Sequence, residues 1–230
     1  ANTNWERPMY MAITVGSDNH LNLTDNFLQE GLAYRITPFN NTELGRRLDS
    51  EKMYDNLMHK FKFGGIDNPD IYLDETVLRM CDTHRRMFVQ LATQLIKEGK
   101  KDKALEALDY CEKVIPSTTV PHDYIMSSSK EMAEDYMQLG QYKKAENILN
   151  ALANNAVEYI TWYLSLNELQ FANSYENCMR YLYILDDVCK TLSQMKGENG
   201  KVIDSATHYT DKFNQLYKLL EQRAGVASAQ

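Results

Sequence analysis

The stretch that decides the fold is "QLIKEGKKDKALEAL", residues 94–108. Leu95 and Ile96 close one apolar run, Gly99 interrupts it, and Ala104, Leu105 and Leu108 resume at helical spacing. A glycine that halts one helical pattern just before a second begins predicts a C-cap at positive φ inside a helix–turn–helix. Upstream, a long helix is expected from about Asp74, with Val77, Met80, Cys81, Phe88, Leu91, Ala92 and Leu95 on one face. Downstream, its partner starts near Asp102, buries Ala104, Leu105, Leu108 and Cys111, and ends before Pro116.

This unit recurs. "YMQLGQYKKAENIL" (136–149) repeats the layout of "LIKEGKKDKALEAL" (95–108) 41 residues later. Gly140 stands where Gly99 stood, Ala145 for Ala104, Leu149 for Leu108, Ala133 for Ala92 and Tyr136 for Leu95. The small residues let paired helices approach closely, and the large ones fill the remaining interface. The layout resembles the tetratricopeptide repeat, a helix-pair signature of about 34 residues. The two repeats fall at 85–118 and 126–159, with the extra residues in "STTVPHD" (117–123). Two positions depart from that pattern: the tryptophan-like first position is Phe88 in one repeat and Ser129 in the other, and the second repeat lacks its proline. A generic antiparallel helix pair is the alternative reading.

The expected fold is therefore mainly α, a tetratricopeptide-like α-α superhelix, with a small two-stranded β element near the N-terminus. "RPMYMAITV" (7–15) is rich in strand formers, and "GLAYRITPF" (31–39) alternates between Gly31 and Pro38. Between them "LTDNFLQE" (23–30) reads as a short helical turn. Two strands alone are marginal in water, so residues 1–48 form a segment built to join something, and 49–230 form the helical domain. After residue 160 the repeat fades into capping helices, "AVEYITWYLSLNELQF" (156–171) and "YENCMRYLYILDDVCKTL" (175–192). "GENG" (197–200) makes a turn, a final helix runs to about Arg223, and the tail "AGVASAQ" frays.

Composition bounds function. The 230 residues carry 25 Lys and Arg against 32 Asp and Glu, for a net charge of −7. Such a chain lacks the basic footprint that drives nucleic-acid binding. The cluster Lys97, Lys100, Lys101 and Lys103 is broken by Glu98 and Asp102 and reads as a solvated turn. The longest nearly apolar run, "MYMAITV" (9–15), is too short to span a bilayer, and no leader pattern is present. Cys81, Cys111, Cys178 and Cys189 have no zinc-like spacing and read as buried thiols, a Cys81–Cys111 bridge being the minority reading.

No catalytic motif stands out. His84, beside Arg85 and Arg86, reads as a solvated surface residue. "PHDY" (121–124) and the three serines after it bring Ser, His and Asp close together, but Ser and Asp before a helix ordinarily cap it. Asp67, Asp70, Asp74 and Glu75 do not have EF-hand spacing, so no metal is expected, and no cofactor either. Repeat geometry offers instead a concave face. By analogy with tetratricopeptide grooves, Arg86, Val89, Thr93 and Lys97 line it from one repeat, and Lys130, Glu134, Met137 and Gln138 from the next. This mixed-charge lining suits an extended peptide or a neighbouring domain, unless flanking helices fill so short a groove.

Four segments, "NTNWERPMYMAITV", "QEGLAYRITPF", "GGIDNPDIYLDE" and "LIKEGKKDKALEALDYCEKVIPSTTVPHDY", resemble in order and spacing a known family. It is the C-terminal extramembrane part of bacterial multi-pass membrane proteins known as domain of unknown function 2723, and the resemblance covers roughly residues 1–150. Family members resemble protein O-mannosyltransferases in their membrane half, which would use a lipid-linked sugar and an acidic loop residue. That half is not in this sequence, so no catalytic residue carries over. The start at Ala1 is what a piece cut after the last membrane helix would look like. The resemblance implies a non-catalytic domain on the periplasmic face of the inner membrane. Its partners would be a protein or peptide ligand and the membrane half of the same parent. "DSA" (204–206) resembles the acceptor tripeptide of some bacterial O-glycosylation systems. Two rivals stand beside this reading: a free-standing tetratricopeptide scaffold that binds a peptide, and an enzyme whose site is assembled from dispersed residues.

Overall fold

The computed structural model describes residues 4–196 and 200–227. The chain forms two compact units, Ala1–Pro121 and His122–Gln230.

The first unit opens with an antiparallel sheet of three strands, β1 (Met9–Ala12), β2 (Phe27–Gln29) and β3 (Ala33–Ile36), in the order β1-β3-β2. Ile36 pairs with Met9 on one side and Phe27 on the other. The sheet thus has one strand more than the sequence pattern predicts. In "LTDNFLQE" only Thr24–Asn26 form a helical turn, and the next three residues are a strand. All three of those strand residues are buried, so no in–out alternation marks them. Gln29 ties this strand to the helices, its Nε2 donating to Gln90 Oε1 at 3.1 Å and to the Gly31 carbonyl at 3.2 Å.

Helix α1 (Ser50–Asp55) starts at Asp49, whose side chain accepts from the Lys52 amide, and widens into a π turn over Asn56–Lys60. Helix α2 (Glu75–Lys97) is capped in the same way by Asp74, which accepts from the Val77 amide. Helix α3 (Lys101–Val114) returns along it. Their seam is built from Phe88, Leu91, Ala92, Leu95, Ala104, Ala107, Leu108 and Cys111, all without exposure. Below it, Cys81, Ile115 and Val120 form a second cluster, with Phe63, Ile66, Leu73 and Val77 packed against it. That cluster anchors the connector from 61 to 73, which would otherwise have little to hold it.

In the second unit, α4 (Ser129–Gln138) pairs with α5 (Tyr142–Ser165). Helices α6 (Glu168–Ser193) and α7 (Asp204–Ala227) complete it. Helix α5 runs unbroken past residue 160, because neither glycine nor proline interrupts "NALANNAVEYITWYLS". Helix α6 begins seven residues earlier than the pattern suggests, at an Asn167 cap that accepts from the Gln170 amide. The "GENG" turn lies mostly outside the described residues, as does the end of the tail.

The repeated turn is reproduced bond for bond. At Gly99 (φ 77°) the Lys100 amide donates to Leu95 O at 2.8 Å and the Gly99 amide to Ile96 O at 3.0 Å. At Gly140 (φ 76°) the Gln141 amide donates to Tyr136 O at 2.8 Å and the Gly140 amide to Met137 O at 3.0 Å. This is the Schellman arrangement, which satisfies carbonyls that a helix end leaves orphaned. A Cβ added at either glycine meets nothing within 4 Å, so the cost of substitution is conformational alone. Gly99→Ala and Gly140→Ala are each expected to lose about 1 kcal/mol in urea unfolding.

Candidate binding faces

The eight candidate groove residues divide between the two units, four on α2 and four on α4, and each set has its own surroundings. On α2, Val89 is only 2% exposed and belongs to the core. Thr93 is half-buried, its hydroxyl donating back to the Val89 carbonyl at 3.0 Å. Arg86 is half-buried, with Nη2 3.4 Å from Thr83 Oγ1. Lys97 is exposed at the helix end. Of this set, Arg86, Thr93 and Lys97 have surface to offer a ligand.

On α4, Met137 is half-buried and Gln138 exposed. Lys130 and Glu134 belong to a polar network within the unit. Lys130 Nζ lies 3.0 Å from Glu134 and 3.0 Å from Asp187 on α6, and the Tyr124 hydroxyl donates to Asp187 at 2.6 Å. Burial works against the charge on Lys130, yet the bonds from Glu134 and Asp187 hold its ammonium above the usual lysine range. Burial and the bond to Asp187 push the Tyr124 phenol up. Burial would raise Asp187, but the bonds from Tyr124 and Lys130 hold it low. Each group is fixed in its ordinary protonation state. The bonds from Lys130 and Tyr124 to Asp187 brace α4 against α6.

The Ser–His cluster hinted at by "PHDY" does assemble. His122 Nδ1 is 3.0 Å from Ser129 Oγ, which is 2.6 Å from Ser127 Oγ. Both serines have no exposure, and Ser127 Oγ donates to the Asp123 carbonyl at 2.7 Å. The Asp123 carboxylate accepts from the Ile125 amide at 2.7 Å. These groups hold the turn that leads into α4, where Ser128 takes a left-handed φ of 55°. His84 is half-buried, set edge-on to Phe61 and Phe63 at 6.1 and 5.8 Å, and is not the solvated residue expected from sequence.

The basic cluster at the α2–α3 turn is partly spent on internal pairs. Lys100 and Lys103 reach Glu51 of α1 at 2.7 and 2.8 Å, and Lys100 also reaches Glu98 at 2.7 Å. The bonds from Lys100 and then Lys103 bring the Glu51 carboxyl down to about 2 from its ordinary 4.5. A carboxyl lowered on folding contributes stability above its unfolded pKa, and loses it as pH falls through the folded value. Carboxyl NMR should therefore show Glu51 titrating near 2, and Lys100→Met should move its midpoint up toward 4.5.

All four cysteines are buried free thiols, Cys81 and Cys111 included. Among the described residues no group of three or more His, Cys, Asp or Glu could hold a metal ion. Asp74 is spent on the α2 cap. In the "DSA" tripeptide, Ser205 donates to Glu146 at 2.8 Å and Ala206 is buried. No helix among the described residues is long and apolar enough to cross a membrane.

Residues 1–54, which hold the whole sheet and most of α1, match the family described as TMEM260-associated domain 2. No curated protein and no solved structure gives a match.

Proposed function

We propose that this chain is a non-catalytic domain attached to a multi-pass, glycosyltransferase-like membrane protein. It stands on the periplasmic face of the membrane and positions acceptor proteins or partners there. The observation that carries this is the match of residues 1–54 to a domain described by its association with TMEM260, which points to a membrane-protein context. The wider resemblance to domain of unknown function 2723 points the same way. The paired helices with matched Schellman turns support a tetratricopeptide-like scaffold, whose known use is to present a helix face to a peptide. The bonds that tie Tyr124 and Lys130 to Asp187 suit a structural role for that network.

Recruitment is tested on a peptide array of periplasmic sequences probed with the folded chain. Lys97→Glu on α2, and Gln138→Lys on α4, change exposed side chains and leave the core untouched. Bound peptides that are lost with either variant support the recruiting role. An array on which wild type and variants bind alike, or not at all, removes it and leaves a structural appendage.

A further inference from the structure

The turn between β3 and α1, residues 38–47 ("PFNNTELGRR"), is the part of the first unit whose construction the fold itself does not explain. It exposes two large apolar side chains, Phe39 at 62% and Leu44 at 56%. Arg46 and Arg47 follow directly and are exposed. Among the described residues neither guanidinium has an ion-pair partner. Glu43 is the only acid in the turn. Within the turn two arginines stand against that one glutamate, while Arg35 of β3 is paired with Glu30 at 3.7 Å, so the turn is locally basic within a chain of net charge −7.

This turn is held firmly. Asn41, 3% exposed, is its post: its amide donates to Asp25 O at 2.7 Å, and its side chain donates to Thr37 Oγ1 at 2.7 Å and to Asn26 O at 3.1 Å. The Arg46 amide returns to Asn41 O at 2.9 Å, and Asn26 Nδ2 donates to Phe39 O at 3.1 Å. Backbone and polar side chains are thus satisfied inward, which leaves the apolar tips and guanidiniums outward. Gly45 has φ 65°, a Cβ there would meet nothing within 4 Å, and residues 43–47 are all exposed.

We propose that this turn seats the first unit on the surface of an anionic phospholipid bilayer. Phe39 and Leu44 enter the boundary between headgroups and acyl chains, and Arg46 and Arg47 meet lipid phosphates. Guanidinium forks suit phosphate oxygens, and apolar side chains beside basic ones are the chemistry of interfacial anchoring. Two exposed apolar side chains beside the arginines favour lipid over an acidic protein, because a deformable surface accepts them without a matching pocket. Asp25 and Asp49 adjoin the turn; acids further off act weakly there, since charges beyond about 8 Å are largely screened at physiological salt. This inference goes beyond the attachment reading and rests on the turn alone.

The test is co-sedimentation of the 230-residue chain with vesicles of phosphatidylglycerol mixed with phosphatidylcholine, and with pure phosphatidylcholine. Binding is expected to the mixed vesicles only, weakening as salt is raised. Arg46→Gln with Arg47→Gln should lower the partition coefficient roughly 25-fold, about fivefold for each arginine. Phe39→Ser with Leu44→Ser should lower it about tenfold or more. All four side chains are exposed, and an unchanged circular dichroism melt shows that the variants fold. Absence of binding to mixed vesicles at low salt overturns the proposal. So does binding to soluble polyglutamate that matches the vesicles and survives the Phe39 and Leu44 changes, which would make the partner an acidic protein.

Discussion

Replacing Arg85 by methionine is expected to destabilise the first unit by about 3–5 kcal/mol, as for other buried charged pairs broken from one side. The side chain has no exposure. Its Nη2 donates to Ile115 O at 3.0 Å and to Val120 O at 2.7 Å, and its Nη1 donates to Pro121 O at 3.1 Å. Ile115 closes α3, so its carbonyl has no helical donor, and the other two lie on the loop beyond. One guanidinium therefore closes a helix end and anchors the segment after it. Asp82 lies 3.5 Å from Nη1 and offsets part of the charge. Methionine fills similar volume but takes the donors from the buried Ile115 and Val120 carbonyls and the part-buried Pro121 carbonyl, and removes the cation beside Asp82. Lysine restores charge without the fork, so Arg85→Lys should recover only part of the loss. Urea unfolding measures both. Cys111 supplies a local readout: burial pushes its thiol up and keeps it inert. In Arg85→Met it should react with a thiol reagent at an accelerated rate, as the packing around residue 115 loosens.

Leu149→Ala should cost the second unit about 2–5 kcal/mol. Leu149 has no exposure and sits on α5 among Ala145, Ile148, Leu152 and Ala153, the seam packed on α4. Alanines at 133, 145 and 153 already bring the helix backbones close, so the cavity has few long side chains that could relax into it. Leu169, 74% exposed on α6, is the matched control, and Leu169→Ala should change stability by less than about 0.5 kcal/mol. Equal losses for the two variants would mean that the recurrence of leucine at 108 and 149 does not mark a packed seam.

What could be read from sequence was what local geometry dictates. Gly99 and Gly140 announced themselves because only a positive φ suits the turn, and the alanines at 92, 104, 133 and 145 because only small residues suit the seam. Strand β2 stayed hidden because burial on both faces erases alternation. Arg85 was illegible for a different reason. Between His84 and Arg86 it looks like one of three solvated polar residues, and its carbonyl partners lie 30 or more positions away. The same distance effect hid the Lys130 brace, whose partner Asp187 is two helices further on. The turn at 38–47 carried no periodic signal at all. Its meaning rests on which side chains the Asn41 hydrogen bonds turn outward.

The attachment claim is tested most directly by an antibody against this chain, used on fractionated cells of the organism that makes it. Attachment predicts a polypeptide much longer than 230 residues that stays in the membrane pellet after alkaline carbonate extraction. It should lose the antibody-reactive part to protease added from the periplasmic side. A species of this chain's own size in the supernatant, with nothing held in the membrane, would contradict it.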